Sequence, residues 1–436
     1  MKERIALLLI IAGLVTFLVV FQNFFNTFWA IIFLLAFMGT YLVYSYLATK
    51  YKARKNRKNP PVFNPDYKPF VSILIPAHNE IEVIRETVLN IMETDYPNYE
   101  IILIDDRSTD NTANIMKDLC KEFKKVQCMV RPLDAFPGKS AVLNDAVKMA
   151  KGDLFLVFDA DARVSPDFLC TLVPYIEPKD VGAVQARKNI LNYKQNFLTK
   201  CQYNELVTDT YLQISRDATR GAVELRGNGE LIKREVIEDV GGWNNNTLTD
   251  DLDLSTRMHI KGWDIRFCPQ AVVWEEGVIT FSALIRQRRR WVEGSIRRYL
   301  EFSPDVLLSK DMPLRVSLDL VAYISQFLLP FWLITEVLLQ VFRFVRGDNN
   351  TILSSLILLM CLFLFFAGTL MHSLRKYSHY SLIRSFFESI VTAAYIVIFW
   401  TPIVFFIILK IIFRPRTMDW GKTQHGVATV KCYEGN

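Results

Sequence analysis

Apolar positions are distributed unevenly along this chain: long uninterrupted runs lie near both ends, and short ones lie between them. Near the N-terminus the runs are 5–20 and 28–48, and near the C-terminus they are 316–341, 352–371 and 387–413. A helix needs about 20 apolar residues to cross the hydrocarbon core of a bilayer. The pattern therefore predicts two transmembrane helices before a central domain and about three after it.

The first run, 5–20, has a second interpretation as a cleavable signal peptide. No cleavage site of small residues follows it and another apolar run comes almost at once, so a helical hairpin is favoured. Lys2, Arg4 and the basic cluster 52–58 flank this hairpin. Because positive charges collect on the cytoplasmic side of a membrane, the hairpin ends and the central domain are predicted to be cytoplasmic.

The side of the membrane on which the C-terminal tail lies stays open. Three crossings would leave the tail outside, whereas Lys410, Arg414 and Arg416 favour the cytoplasm. The two observations agree if one apolar run is re-entrant or interfacial, for example the long run that Pro402 interrupts.

The middle of the chain alternates short apolar runs with helical stretches. A weak strand is predicted at 181–184, and three clearer, almost continuously apolar strands at Val71–Ala77, Ile101–Ile104 and Leu154–Phe158. Helices are predicted at 80–93, 109–123 and 139–150. This alternation predicts an α/β fold with an open, mostly parallel, Rossmann-like sheet, whose ligands bind beyond the carboxyl ends of its strands.

Composition and charge narrow the class of protein. The 436 residues are 51% hydrophobic and carry a net charge of +6, with basic clusters at 51–58 and 286–298. Beside apolar runs, such clusters indicate membrane topology, and no nucleic-acid-binding motif accompanies them. The seven cysteines form no C-x-x-C pair, so neither a zinc site nor a disulfide framework is indicated.

Two common nucleotide-binding motifs do not fit this chain. No G-x-G-x-x-G follows the first predicted strand, which argues against a dinucleotide-binding enzyme. Gly138-Lys139-Ser140 matches the end of a P-loop, but Leu133 stands where that motif requires glycine. The P-loop interpretation therefore fails.

Asp159 and Asp161 follow the third apolar strand as a D-x-D motif. Side chains two positions apart in an extended chain point the same way, so we expect the two carboxylates to converge. A divalent cation, Mg²⁺ or Mn²⁺, would relieve their repulsion, and a nucleotide diphosphate would complete its ligand shell. Two solvated aspartates in a loop explain the motif alone equally well.

Asp105 and Asp106 end the second predicted strand. Their carboxylates are suited to accept hydrogen bonds from a nucleobase and a ribose. Ser108 and Thr109, which follow them, have an ordinary explanation as caps of the next helix.

Asp250 and Asp251 form a third acidic pair, within the segment 249–254. A sugar transfer needs a base that takes a proton from the acceptor hydroxyl, and one of these carboxylates is suited to that role. Capping of a helix explains Thr249 or Asp250 as well.

A helix predicted over 281–302 carries Gln287, Arg288, Arg290 and Trp291. The i, i+3, i+4 spacing places Gln287, Arg290 and Trp291 on one helix face. Arginine can neutralise a leaving diphosphate, and the face of a tryptophan can stack on a sugar ring. A basic amphipathic helix on an anionic membrane surface is the alternative, and both roles are compatible.

Together and in this order, these motifs resemble those of the family 2 glycosyltransferases with the A-type nucleotide-sugar fold, over about 70–300. The resemblance implies that Asp251, beside Asp250, is the general base. It implies a donor site made of Glu80, Asp105, Asp106, Lys139, Asp159 and Asp161, the last two also binding the metal. It further implies an acceptor and diphosphate site made of Gln287, Arg288, Arg290 and Trp291.

A narrower resemblance, to cyanobacterial monoglucosyldiacylglycerol synthases, rests on 249–254, 275–278, the run from Arg286 and the tail 414–426. It implies inverting transfer of glucose from UDP-glucose to 1,2-diacylglycerol. The segment 420–423 also resembles loops of processive synthases, so a polysaccharide synthase of the poly-N-acetylglucosamine, cellulose or hyaluronan type is the alternative. About five transmembrane spans are few for a polysaccharide channel, and this favours the lipid acceptor. A membrane scaffold without catalytic activity is a third hypothesis.

The expected protein is thus an integral membrane hexosyltransferase with a UDP-sugar donor, a lipid acceptor, a divalent cation and no nucleic-acid partner. Its predicted parts are two transmembrane helices (1–50), a basic linker (51–69), a cytoplasmic glycosyltransferase domain (70–279), interfacial helices (280–312), about three transmembrane helices (313–413) and a tail (414–436).

Overall fold

The computed structural model describes residues 27–58, 63–347, 352–378 and 380–414, together with a few single positions before residue 17. The predictions for the first apolar run and for the tail beyond residue 414 lie outside the described residues.

The strands are β1 Val71–Ala77, β2 Tyr99–Asp105, β3 Val126–Val130, β4 Leu154–Val157, β5 Arg163–Val164, β6 Val181–Ile190, β7 Glu230–Lys233 and β8 Asp264–Glu275. The helices are α1 Thr27–Lys58, α2 Ile84–Met92, α3 Thr112–Glu122, α4 Lys139–Met149, α5 Phe168–Leu172, α6 Phe197–Thr219, α7 Arg234–Asp239, α8 Asp250–Ile260, α9 Phe281–Leu308, α10 Leu314–Val345, α11 Ile352–Tyr377 and α12 Leu382–Phe413.

These strands form one sheet in the order β3-β2-β1-β4-β7-β6-β8-β5. Strands β1–β4 pair in parallel with one another, as do β6 and β8, whereas β7 runs antiparallel to both β4 and β6. The predicted α/β fold with a mostly parallel sheet is confirmed.

The register brings the carboxyl ends of the central strands to one edge of the sheet. Ala77 of β1 pairs with Asp105 of β2, and Leu74 of β1 pairs with Val157, the last residue of β4. Polar residues that follow these strands therefore lie along a common edge.

Successive side chains of the central strands pack into two different cores. In β1, Ile73 and Ile75 join one buried cluster and Leu74 joins the other. Because both faces of the sheet are covered, β1 and β4 are apolar at nearly every position, as the sequence pattern indicates.

Helix α6 joins the α/β domain to the apolar helices by polar contacts. Asn204 donates a hydrogen bond to Thr392 Oγ1 of α12 at 2.9 Å. The hydroxyls of Thr208 and Ser373 of α11 lie 3.1 Å apart, and Asp217 forms an ion pair with Lys52 of α1. The domain is thereby fixed against three of these helices.

Two helical segments among the described residues are long and apolar enough to cross a membrane: Leu359–Tyr377 and Leu382–Phe413. The second is one continuous helix through Pro402. Helix α1 continues through the basic cluster and ends at Lys58.

Candidate active site

A cavity of about 1570 Å³ lies at the carboxyl edge of the sheet and extends between α10, α11 and α12. One end is lined by carboxylates, those of Asp106, Asp159, Asp161, Asp250 and Asp251. The other end is lined by apolar side chains of the three helices, among them Phe327, Ile334, Leu338, Met360, Phe363, Val397 and Val404. Every predicted site residue except Asp105 lines this cavity.

Asp106 is held in place by three hydrogen-bond donors. Its Oδ1 accepts from Arg107 Nε at 3.0 Å and from Arg131 Nη1 at 2.8 Å. Its Oδ2 accepts from the backbone N–H of Gly138 at 3.0 Å. Burial by itself raises the pKa of Asp106, but these donors outweigh burial and the pKa lies below its usual value. The carboxylate is therefore ionised and oriented.

Asp105 is buried behind the cavity wall. It is 1% exposed, and its Oδ2 accepts a hydrogen bond from the N–H of Ser108 at 3.1 Å. Glu80 lies on the wall itself, and its N–H donates to Thr112 Oγ1 at 2.8 Å. Their roles in donor binding stay predictions.

Lys139, the first residue of α4, brings a positive charge among the carboxylates. Its Nζ donates to Asp159 Oδ1 at 2.5 Å and to the carbonyl of Gly227 at 2.6 Å. Burial lowers the pKa of Lys139, but the charges of Asp159 and Asp250 outweigh burial, and the pKa lies above its usual value. A cation is thus present where the diphosphate is predicted to bind.

Asp159 and Asp161 both line the cavity, but the expectation that they lie on an extended strand is wrong. Strand β4 ends at Val157, and the N–H of Ala162 donates to the carbonyl of Asp159 at 3.1 Å, so the motif forms a turn. Asp161 Oδ2 accepts a hydrogen bond from the N–H of Glu276 at 2.9 Å.

The chemistry of these two carboxylates fits a hard divalent cation, which prefers oxygen ligands. Within the described part of the chain, no group of three or more His, Cys, Asp or Glu side chains is arranged to hold a metal ion. Such cations take about six ligands or more. Most ligands would therefore have to come from a bound diphosphate and water.

Asp250 and Asp251 begin α8, beside a turn that contains Gly227. The backbone at Gly227, with φ of +79°, comes so close that a Cβ there would lie 3.4 Å from Asp251 Oδ2. Burial, followed by the neighbouring charge of Asp250, raises the pKa of Asp251 to about 6. Asp251 is therefore a stronger base than an ordinary aspartate, as a proton acceptor near neutral pH should be.

The predicted helix with Gln287, Arg290 and Trp291 is confirmed as α9, and all three residues line the cavity. Gln287 Oε1 and Arg290 Nε are buried and have no hydrogen-bond partner within the described residues. Buried polar atoms normally have partners, so both atoms have capacity for a ligand. Arg288, on the same helix, forms an ion pair with Glu205 of α6.

The amino-acid sequence matches proteins of known class. Residues 68–294 match the family described as glycosyltransferase-like family 2. A β-monoglucosyldiacylglycerol synthase of Trichormus variabilis is 38% identical over 362 residues, which cover 82% of this chain and 76% of the relative. The chain belongs to glycosyltransferase family 2.

Further relatives of this family 2 glycosyltransferase have two kinds of product in their names. The β-monoglucosyldiacylglycerol synthase of Synechocystis is 34% identical over 370 residues, covering 84% of this chain and 77% of the relative. The poly-β-1,6-N-acetyl-D-glucosamine synthase of Staphylococcus epidermidis is 30% identical over 246 residues, covering 55% of this chain and 58% of the relative.

A mannosyltransferase of Pyrobaculum calidifontis, solved in complex with GDP-Man and Mn²⁺, has a similar structure with a TM-score of 0.61. The match covers 85% of this chain and 97% of that chain at 20% identity. This likeness supports the glycosyltransferase A-type fold.

In the sequence analysis of this glycosyltransferase, several charged residues of the cavity wall were not assigned to the site. Lys188 of β6 pairs with Glu275 of β8 at 2.8 Å, and Arg226 pairs with Asp209 of α6 at 2.8 Å. Each pair joins different elements, so no local motif marks it. One sequence feature could have identified such a residue: Glu275 begins the segment 275–278, which resembles the monoglucosyldiacylglycerol synthases.

Proposed function

We propose that this glycosyltransferase transfers glucose from UDP-glucose to 1,2-diacylglycerol, giving β-monoglucosyldiacylglycerol. The observation that carries the proposal is the single cavity with carboxylates at one end and apolar side chains of α10, α11 and α12 at the other. Diacylglycerol has the same division, with one reactive hydroxyl and two acyl chains. The two synthases with 38% and 34% identity support this acceptor and donor.

The donor would bind at the carboxylate end of the cavity. Asp106 and Glu80 are suited to hold the nucleoside through hydrogen bonds. Lys139 and Arg290 are two of the cations that line the cavity, and each would offset charge on the diphosphate. Trp291 offers an aromatic face for the sugar.

Asp159 and Asp161 are the residues that would hold a divalent cation, Mg²⁺ or Mn²⁺, together with the diphosphate. When bound, this cation would stabilise the charge of the leaving UDP. Lys139 Nζ, 2.5 Å from Asp159 Oδ1, keeps that carboxylate oriented toward the same region.

The chemical step is a single displacement with Asp251 as the base. Asp251 takes the proton of the acceptor hydroxyl, whose oxygen forms a bond to the anomeric carbon. The bond from that carbon to UDP breaks, and its electrons leave with UDP. Attack opposite the leaving group inverts the centre, so an α-linked donor gives a β-linked product.

The catalytic domain is proposed to face the cytoplasm, where nucleotide-sugars are made. The basic residues that end α1, Lys55, Arg57 and Lys58, support this orientation. Helix α12 carries Lys410 in its last turn, close to the catalytic domain, where it pairs with Glu293 of α9 at 2.7 Å.

The test is incubation of the purified protein with radiolabelled UDP-glucose and vesicles that contain diacylglycerol, followed by thin-layer chromatography. The expected result is one discrete labelled glycolipid that requires diacylglycerol. A labelled polymer retained at the origin would instead identify a polysaccharide synthase, and the proposal would be wrong.

A further inference from the structure

A cluster of four side chains lies where the polar end of the cavity meets its apolar end. Arg288 and Trp291 come from α9, Glu205 from α6 and Trp400 from α12, and all four line the cavity. The cluster therefore joins the catalytic domain to a candidate membrane span at the cavity wall.

Arg288 is the centre of this cluster. Its guanidinium carbon lies 4.4 Å from the ring centroid of Trp291 and 5.2 Å from that of Trp400. Its Nη2 forms an ion pair with Glu205 Oε2, and the other oxygen of Glu205 accepts a hydrogen bond from Trp400 Nε1 at 2.7 Å. The arginine is thus fixed by one carboxylate and two aromatic rings.

Two properties of Arg288 indicate a binding role. It is only 6% exposed, and its Nε is buried with no hydrogen-bond partner within the described residues. A buried donor without an acceptor is costly unless a ligand supplies one. Burial raises the pKa of Glu205, and the charge of Arg288 and the hydrogen bond from Trp400 oppose this rise. As an ion pair, Glu205 and Arg288 carry no net charge.

We propose that this cluster binds the glycerol backbone of the acceptor lipid, with Arg288 donating a hydrogen bond to an ester carbonyl, and that the ion pair with Glu205 selects neutral diacylglycerol over anionic phosphatidic acid. The inference rests on the proposed function, since it assigns the acceptor site of that reaction. An ester carbonyl is an uncharged acceptor and suits a balanced cluster. A phosphate would need an additional unpaired cation.

Glu205→Gln tests the charge balance, because it leaves Arg288 without a counter-charge at nearly constant side-chain volume. Glu205 no longer holds the guanidinium of Arg288 in place, so the hydrogen bond from Arg288 to the ester carbonyl weakens. The KM for diacylglycerol is expected to rise about tenfold, the factor that one charge-assisted hydrogen bond represents. Inhibition by phosphatidic acid becomes about tenfold stronger by the same estimate.

Two further variants separate charge from packing. The double change Glu205→Gln with Arg288→Gln is again neutral, so it should bind diacylglycerol weakly without gaining inhibition by phosphatidic acid. Glu388→Gln is the matched control, because Glu388 pairs α12 with Lys200 of α6 and does not line the cavity. It should retain the wild-type KM for diacylglycerol.

Photo-crosslinking with diazirine-bearing diacylglycerol and phosphatidic acid gives a readout that needs no turnover. We expect wild type to label with the diacylglycerol probe and Glu205→Gln to gain labelling with the phosphatidic acid probe. Equal preference in both proteins, with unchanged KM, would overturn the inference. If wild type glucosylates no diacylglycerol, the proposed function fails, whereas the labelling preference still decides the charge-balance claim.

A second variant is available should Glu205→Gln not fold. Trp400→Phe removes the hydrogen-bond donor to Glu205 and should raise the KM for diacylglycerol about threefold.

Discussion

At the scale of single residues, Asp251 combines the properties that a general base needs. It lines the cavity, the backbone of Gly227 passes beside its Oδ2, and burial with the charge of Asp250 raises its pKa. Thr249, which precedes Asp250 and Asp251, makes no side-chain hydrogen bond that caps α8. Helix capping therefore does not explain the presence of Thr249.

Asp251→Asn should lower kcat about a thousandfold, within the range that general base catalysis contributes. Binding of UDP-glucose, measured by calorimetry, should be retained. Asp253→Asn is the control on the same helix, because Asp253 pairs with Arg257 at 2.6 Å and does not line the cavity. Near-normal kcat in folded Asp251→Asn would contradict the mechanism.

The pH dependence of kcat/KM should report the same carboxylate. Asp251 must be ionised to accept a proton, so activity should rise with pH through about 6 and then level off. A neighbouring negative charge disfavours ionisation, so Asp250→Asn should lower the pKa of Asp251 and move the acidic limb to lower pH. A limb that stays in place, or moves to higher pH, would exclude Asp251 as the group that titrates.

Which acidic residues converge could be predicted from the sequence, but their local geometry could not. Asp159 and Asp161 follow a buried strand, which was sufficient to predict that they reach the ligand edge. The turn that carries them is closed by the hydrogen bond from the N–H of Ala162 to the carbonyl of Asp159. The inward position of Asp105 depends on the hydrogen bond that its Oδ2 accepts from the N–H of Ser108. Alternation along the strand does not contain this information.

At the scale of elements, the approach of α9 to α8 decides where the carboxylates lie relative to Gln287 and Arg290. Gly294 is the contact point: a Cβ there would lie 2.5 Å from Thr249 Cγ2 and 2.8 Å from Thr249 Oγ1. Thr249, the residue before Asp250 and Asp251, therefore packs directly on α9.

Gly294→Ala should separate α9 from α8, because overpacking of this size costs about 1–3 kcal/mol. We expect kcat to fall at least about tenfold, which is the effect of 1.4 kcal/mol on the barrier, while UDP-glucose still binds. Gly368→Ala in α11 is the control, since a Cβ there meets no atom of the described residues within 4 Å. Equal kcat in both variants would show that this contact does not position the site.

The central elements were predicted because each has a simple periodicity. Strand β1 is almost continuously apolar and mostly buried, and α4 begins at its predicted first residue, Lys139. Helix α6 was missed because polar residues such as Gln202 and Asn204 are buried against other elements, which obscures the amphipathic pattern. Strand β7 has only four residues, and its antiparallel place between β4 and β6 comes from long-range pairing.

At the scale of the whole molecule, the cavity connects the sheet edge to the apolar helices, and this connection is the basis for the proposed lipid acceptor. A lipid can keep its acyl chains among α10, α11 and α12 while its hydroxyl reaches Asp251. This architecture predicts that the apolar end affects the acceptor and leaves the donor unaffected.

Ile334→Trp, on α10, should fill part of the apolar end of the cavity. The expected result is a KM that rises for long-chain diacylglycerol, rises less for short-chain diacylglycerol and stays constant for UDP-glucose. Val345→Trp is the control, because Val345 ends the same helix, is 78% exposed and does not line the cavity. An unchanged chain-length preference in Ile334→Trp would mean that the acyl chains bind elsewhere.

The most direct test of the account is the proton NMR spectrum of the lipid formed from UDP-glucose and diacylglycerol in vesicles. The coupling constant between the anomeric proton and H2 reports the configuration of the new bond, and a nuclear Overhauser effect between the anomeric proton and the glycerol C3 protons reports the attachment of glucose to the glycerol hydroxyl. A single inverting displacement from an α-linked donor gives β-glucosyl diacylglycerol, and this is the expected product. An α-linked product, or glucose attached to another sugar, would contradict it.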